Sequence, residues 1–173
     1  MAYKKHEINK ELINRAQKGD QNAYYRLYKQ YVQAIYNICL RMVLNQLDAE
    51  DIVQETFISA FKNLSSYRGE ASFGSWLKKI AINKTLNFLR KKKLRFTYFD
   101  DTKKAITEGH VWEENENNLF TIAPEKVHEL IKKLPDKARI VLNLYLLEDY
   151  KHKEIAEMLG ISESTSKSQY LRA

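Results

Sequence analysis

Uninterrupted helical periodicity is the strongest constraint in this sequence. Only five glycines and two prolines punctuate its 173 residues. Apolar side chains recur at intervals of three and four, and the strict alternation of a half-buried strand is absent. The expectation is an all-α fold. Residues 7–18 predict a short first helix closed by Gly19. Asp20 is placed to cap a long amphipathic helix over 21–43, whose apolar side carries Ala23, Leu27, Tyr31, Ile35, Ile38 and Met42. Asp48 is expected to cap a third helix over 49–64, with Asp51 at the capping-box position. Residues 75–93 predict a fourth. Pro124 and Pro135 suit the first turns of helices over 124–133 and 135–147. Residues 151–159 and 163–173 form a last pair, split by Gly160, Ile161 and Ser162.

Charge divides this helical chain unevenly. The formal net charge is +7, which points to an anionic partner. Residues 62–95 hold ten basic side chains and one acidic one, whereas residues 96–123 hold two basic and six acidic. The acidic stretch also loses helical periodicity and keeps only scattered aromatics. It reads as a linker. Two helical domains are therefore expected, over 1–95 and 124–173, joined by an acidic linker over 96–123.

Cys39 is the single cysteine, so no intrachain disulfide can form. Its place on an apolar helix side predicts core packing. No apolar run reaches the ~18–20 residues of a membrane span. The N-terminal residues lack the apolar core of a signal peptide. A cytoplasmic protein with no membrane insertion is expected. The histidines at 6, 110, 128 and 152 show no metal-ligand spacing, and no cofactor is expected.

Three segments carry the functional signal. In residues 49–64, Val53, Phe57, Ala60, Phe61 and Leu64 share one side and should be core. Asp51, Glu55 and Ile58 lie opposite, with Gln54 at the edge. An outward acidic face is ordinarily plain solvation, and a large apolar residue set among the acids adds docking to a basic helix as a second reading. In residues 73–93, Leu77, Ile80, Ala81, Thr85 and Phe88 form an apolar stripe. The rest of that helix offers Lys78, Lys79, Lys84, Arg90, Lys91, Lys92 and Lys93 without one acid, among Trp76, Asn83 and Asn87. Cations contact phosphates, amides bond to base edges, and an indole stacks on an unpaired base. The loop just before, residues 65–73, adds Tyr67, Arg68 and Phe73, with Gly69 allowing a tight bend around an extruded base. Finally, residues 151–173 carry a helix-turn-helix pattern. Ile155, Ala156 and Leu159 face inward, Gly160 makes the turn, Ile161 plugs the angle, and Ser162 caps the second helix. Ser164, Thr165, Lys167, Ser168, Gln169 and Arg172 are then offered to phosphates and base edges.

These segments, in this order, resemble the bacterial extracytoplasmic-function (ECF) sigma factors of the sigma-70 family. Residues 48–92 look like sigma region 2, and residues 134–173 like region 4. The resemblance implies a non-enzymatic initiation factor that brings core RNA polymerase to −35 and −10 promoter elements. It implies that Asp51, Gln54, Glu55 and Ile58 bind the clamp helices of the polymerase β′ subunit. Tyr67, Arg68 and Phe73 match the loop that captures a flipped −10 base. Trp76, Lys79, Asn83, Lys84 and Asn87 match the helix that holds the melted strand. Thr165, Lys167, Ser168, Gln169 and Arg172 match the helix that reads the −35 element. The family also implies contacts with the polymerase β subunit and with an anti-sigma factor. Ser166 departs from the apolar residue usual at its position, and Gln169 from a frequent arginine. The sequence ends at Ala173, where family members usually run on with basic residues, so a weakened −35 affinity is expected.

Two other readings fit parts of the pattern. A stand-alone helix-turn-helix regulator would bind duplex DNA without a docking face on residues 49–64. A helical nuclease would use Asp48, Glu50, Asp51 and Glu55 around a metal ion.

Overall fold

The computed structural model describes the backbone of residues 2–97 and 124–173, and side-chain surroundings for residues 10–92 and 129–173. Eight α-helices make up the described fold, with no strand among them. They are α1 (Ala2–Gln17), α2 (Gln21–Val43), α3 (Gln46–Lys62), α4 (Phe73–Thr97), α5 (Pro124–Lys133), α6 (Asp136–Leu142), α7 (His152–Leu159) and α8 (Glu163–Leu171). A 3-10 turn, Leu64–Ser66, follows α3, and α6 runs on into a π-helical turn, Asn143–Leu147.

Local chemistry accounts for most helix ends. The Asp20 carboxylate accepts from the backbone N–H groups of Asn22 and Ala23 and so caps α2. Arg15 closes on the same carboxylate at 2.7 Å. That guanidinium, together with the Ala23 N–H, holds the Asp20 carboxyl below the ordinary carboxylate range. A lowered carboxyl stabilises the fold above its unfolded value, and that share is lost as pH falls through the folded value.

The third helix begins earlier than its sequence pattern suggests. Its cap is Asn45, whose side chain accepts from the Asp48 N–H, so Asp48 lies within the first turn and is not the cap. The preceding turn uses Leu44 at φ 57°, a left-handed conformation that ordinarily favours glycine. Helix α1 extends back to Ala2, and α4 forward to Thr97. The remainder of the expected linker lies outside the described residues.

The first domain is built on α2, α3 and α4. Leu27, Ile35 and Met42 of α2 are buried against Ile52, Val53, Phe57 and Ala60 of α3, and against Leu77, Ala81, Ile82 and Leu86 of α4. Leu12, Ile13 and Ala16 of α1 join the same core. Cys39 is fully buried, and burial pushes its thiol pKa up. Core packing is therefore its role. Buried hydroxyls are satisfied within their own helices: Thr56 donates to the Ile52 carbonyl and Thr85 to that of Ala81.

In residues 124–173, α7 and α8 pack around α6 as a helix-turn-helix. Gly160 makes the turn at φ 66°. Ser162 caps α8 by accepting from the Thr165 N–H at 3.0 Å, as the sequence pattern anticipates. Val141, Leu144 and Ile155 from this half belong to the same apolar cluster as α2 and α4, so the two halves are packed together.

Candidate promoter and polymerase interface

Burial of one side of α4 decides what its other side offers. Leu77, Ala81, Ile82, Thr85 and Leu86 are buried, with Ile80 and Phe88 packed partly against them. Lys79, Asn83 and Asn87, four residues apart, therefore form one exposed stripe. Asn83 has no hydrogen-bond partner among the described residues, and its amide is open. Asn87 accepts from Arg90 at 3.0 Å. Trp76 and Lys84 are half-buried at the edges of the stripe.

The loop ahead of α4 is held from three sides. The Gln17 amide at the end of α1 donates to the carbonyls of Leu64 and Tyr67, at 3.0 and 3.4 Å. The Tyr67 hydroxyl donates to the Ala71 carbonyl at 2.6 Å. The Ser72 hydroxyl accepts from the Ser75 N–H and starts α4. Gly69 sits at the bend with φ 77°, where a side chain would be strained. Gly74 serves close packing instead, since a Cβ there would lie 3.0 Å from the Tyr31 ring.

Beneath this loop lies an aromatic cluster of Tyr67, Phe73 and Trp76, with ring centroids 5.3–5.7 Å apart. Tyr31 meets Phe73 edge-on at 5.3 Å. Phe73, expected beside a −10 base, lies inside this cluster. Its ring is 3% exposed and enclosed by those neighbours, so Phe73 is an anchor of the loop. Arg68, Lys79 and Asn83 reach solvent, and Tyr67 and Trp76 keep partly open edges. Gln17 was not legible as part of this site, because nothing in its sequence neighbourhood marks a partner some fifty residues away.

On α3, Asp51, Gln54, Glu55 and Ile58 are all exposed on the side opposite Val53 and Phe57, with Ile58 at 68%. Leu47, at 72% exposure, extends the same side by one turn. Sequence periodicity overlooks Leu47 because the helix is expected to begin after it. The acidic and basic surfaces meet at their border. Lys84 approaches Glu55 at 3.5 Å, and Lys92 pairs with Asp48 at 2.7 Å. Among the described residues no group of three or more metal-ligating side chains converges, so nothing gathers Asp48, Glu50, Asp51 and Glu55 into a metal site.

Helix α8 presents Lys167, Ser168 and Arg172 to solvent, with Thr165 and Gln169 half-buried. Lys167 pairs with Glu163 at 2.7 Å, and this hydrogen bond holds the Glu163 carboxyl below its ordinary range. The Ser168 hydroxyl donates to the Ser164 carbonyl. The unusual Ser166 is fully buried, where an apolar side chain would be expected. Its hydroxyl meets Nδ1 of His152 at 3.0 Å. His152 in turn stacks on Tyr145, with ring centroids 4.3 Å apart, and meets Tyr170 edge-on. A hydrogen-bonded pair thus replaces an apolar plug between α7 and α8.

This pairing makes a testable coupling. His152→Ala leaves a buried hydroxyl unpartnered and should cost ~1–3 kcal/mol. Ser166→Ala with His152→Ala should cost less than the two single changes added together. Urea unfolding of the four proteins measures the cycle. Strict additivity would deny the pair.

Comparison with known proteins agrees with this arrangement. The profile of Sigma-70 region 2 matches residues 27–95, and that of Sigma-70, region 4, matches residues 125–173. The ECF RNA polymerase sigma factor SigW of Bacillus subtilis is 35% identical over 94% of this chain and 91% of its own. The ECF RNA polymerase sigma-E factor of Escherichia coli K12 is 31% identical over 94% and 88%. The sigma factor RpoE of Bartonella quintana, solved with the anti-sigma factor NepR, superposes with a TM-score of 0.54. That superposition covers 86% of this chain and 90% of RpoE, at 18% identity, and shows a shared fold. With both regions matched in order and relatives aligned nearly end to end, the chain belongs to the sigma-70 family, among its ECF RNA polymerase sigma factors.

Proposed function

We propose that this chain binds core RNA polymerase and directs it to promoters, with α3 docking on the β′ clamp helices, α4 holding the melted −10 strand and α8 reading the −35 element. The observation that carries the reading is the opposition of two exposed surfaces on one small core. One is acidic and apolar, on α3, through Leu47, Asp51, Gln54, Glu55 and Ile58. The other is basic and amide-rich, on α4, through Lys79, Asn83 and Asn87. The first suits a basic protein helix; the second suits an unpaired, phosphate-bearing strand. Tyr67, Arg68 and Trp76 border the place for a flipped base, above the buried Phe73.

The chain itself supplies no chemistry in this scheme, and catalysis belongs to the polymerase. A cytoplasmic location follows from that partner. No helix among the described residues is long and apolar enough to cross a membrane. An anti-sigma factor is a natural regulator, as NepR is the partner of the Bartonella protein.

Docking is tested by Glu55→Lys combined with Ile58→Asp. Both side chains are exposed, so the fold should persist by circular dichroism. Loss of a charged interfacial contact costs ~2–5 kcal/mol, so capture of core polymerase should fail. Normal capture would put the docking surface elsewhere.

The strand-holding role separates two kinds of residue on α4. Lys79→Ala should weaken single-stranded −10 oligonucleotides of every sequence alike and lower the salt slope by ~0.7. Asn83→Ala should instead narrow the gap between good and poor −10 sequences, by ~1–3 kcal/mol. Binding across sequences and salt concentrations, with core polymerase present, measures both. Equal loss of discrimination in the two variants would remove Asn83 from base recognition.

A further inference from the structure

The loop that borders the proposed base site is closed on itself. The Tyr67 hydroxyl reaches across the bend to the Ala71 carbonyl at 2.6 Å, and Ser72 bonds to Ser75 at the start of α4. Its tip has no such ties. Among the described residues, Arg68 and Glu70 make no side-chain hydrogen bond or ion pair. Gly69 between them, at φ 77°, adds no side chain. The tip therefore takes its place from the frame beneath it.

Side chains of α1 and α2 hold that frame. From α2, the Tyr31 ring meets Phe73 edge-on at 5.3 Å. From α1, the Gln17 amide nitrogen donates to the Leu64 carbonyl at 3.0 Å and to the Tyr67 carbonyl at 3.4 Å. A glutamine amide carries two N–H donors, so one side chain can serve both acceptors. The two carbonyls bracket the 3-10 turn Leu64–Ser66, whose closing bond runs from the Tyr67 N–H to the Leu64 carbonyl at 3.1 Å. Gln17 thus straps the turn and sets the direction in which the chain leaves it toward Arg68.

The anchor behind Gln17 is stiff. Leu12, Ile13 and Ala16 are buried. Helix α1 ends against Gly19 at φ 88°, and Arg15 pairs with Asp20 at 2.7 Å where α2 begins. Gln17 itself is exposed, so water competes for its bonds and their net contribution to global stability is small. Their effect on the loop is of another kind. A recognition site works only while supporting bonds hold its members in place.

We infer that Gln17 is a positioning residue for base capture. Its amide, bonded to the Leu64 and Tyr67 carbonyls, holds the loop in the pose that presents Arg68 and the edges of Tyr67 and Trp76 to an extruded base. Specificity at that base then depends on α1, a helix to which the proposed function gives no DNA contact. The inference rests on that reading of the loop.

The test uses the full chain. Gln17→Met keeps the length of the side chain and removes both donors. Gln17→Glu keeps the shape but turns an acceptor toward two carbonyls, and serves if Gln17→Met fails to fold. In the free protein, amide exchange followed by NMR should quicken at Ser66 and Tyr67 about two- to tenfold, the share of one net hydrogen bond. Exchange within α2 and α4 should not change. With core polymerase present, single-stranded −10 oligonucleotides carrying each base at each position are then compared. Preference at the captured position, located as the one that Arg68→Ala also affects, should fall about two- to tenfold. Preference at the other positions and capture of core polymerase should keep their wild-type values. A side chain that only stabilised the fold would instead weaken every sequence and core capture together, and that result overturns the positioning role. Unchanged exchange at Ser66 and Tyr67 overturns it as well. A wild type without any base preference overturns the proposed function of the loop, and this inference with it. A wild-type preference that survives both variants overturns the inference alone.

Discussion

Everything this chain offers its partners depends on how α4 is buried between α2 and α3. Leu77, Ala81, Ile82, Thr85 and Leu86 lose contact with water, at roughly 25 cal/mol for each Å² of apolar surface. That burial fixes the rotation of the helix. Once the rotation is fixed, Lys79, Asn83 and Asn87 have no choice but to face outward together. The same packing turns the far side of α3 to solvent and exposes Ile58 and Leu47 among acids. One core thereby sets two surfaces of opposite character that meet along the Lys84–Glu55 and Lys92–Asp48 pairs.

Much of this was legible because helical periodicity reports burial directly. The all-α fold, the span of α2, the cap at Asp20 and the outward side of α3 could be read from spacing alone. Side-chain burial set by several elements at once could not. Phe73 reads as an exposed loop aromatic in sequence, yet Tyr31, Tyr67 and Trp76 enclose it in space. The turn between α2 and α3 was missed for a related reason. It relies on Leu44 in a left-handed conformation, without the glycine that usually announces such a turn. The grip of Gln17 on the loop is a contact over long sequence separation, to which periodicity is blind.

Ser166 shows how a departure from a family pattern can be compensated locally. A hydroxyl at a fully buried position would ordinarily weaken a helix-turn-helix, since an unpartnered polar group in the interior is costly. Here His152 completes it, and Tyr145 and Tyr170 fix the imidazole in place. Neither half of that pair is informative alone in the sequence, fourteen residues apart. The contact of Glu148 with Arg41 and Lys78 has the opposite character. Its ions are paired across two regions, while Arg41 Nε, Arg139 Nε and Asn143 Oδ1 are buried without a hydrogen-bond partner among the described residues.

Transcription reconstituted from pure components tests the central claim most directly. Core RNA polymerase freed of sigma is supplied with this chain and a library of promoter sequences bearing varied −35 and −10 elements, and the transcripts are sequenced. The account predicts defined start sites that appear only when both components are present, with upstream sequences sharing two separated elements. Transcripts that are unchanged by the chain, or chain bound to duplex DNA with no association with core polymerase, would contradict it.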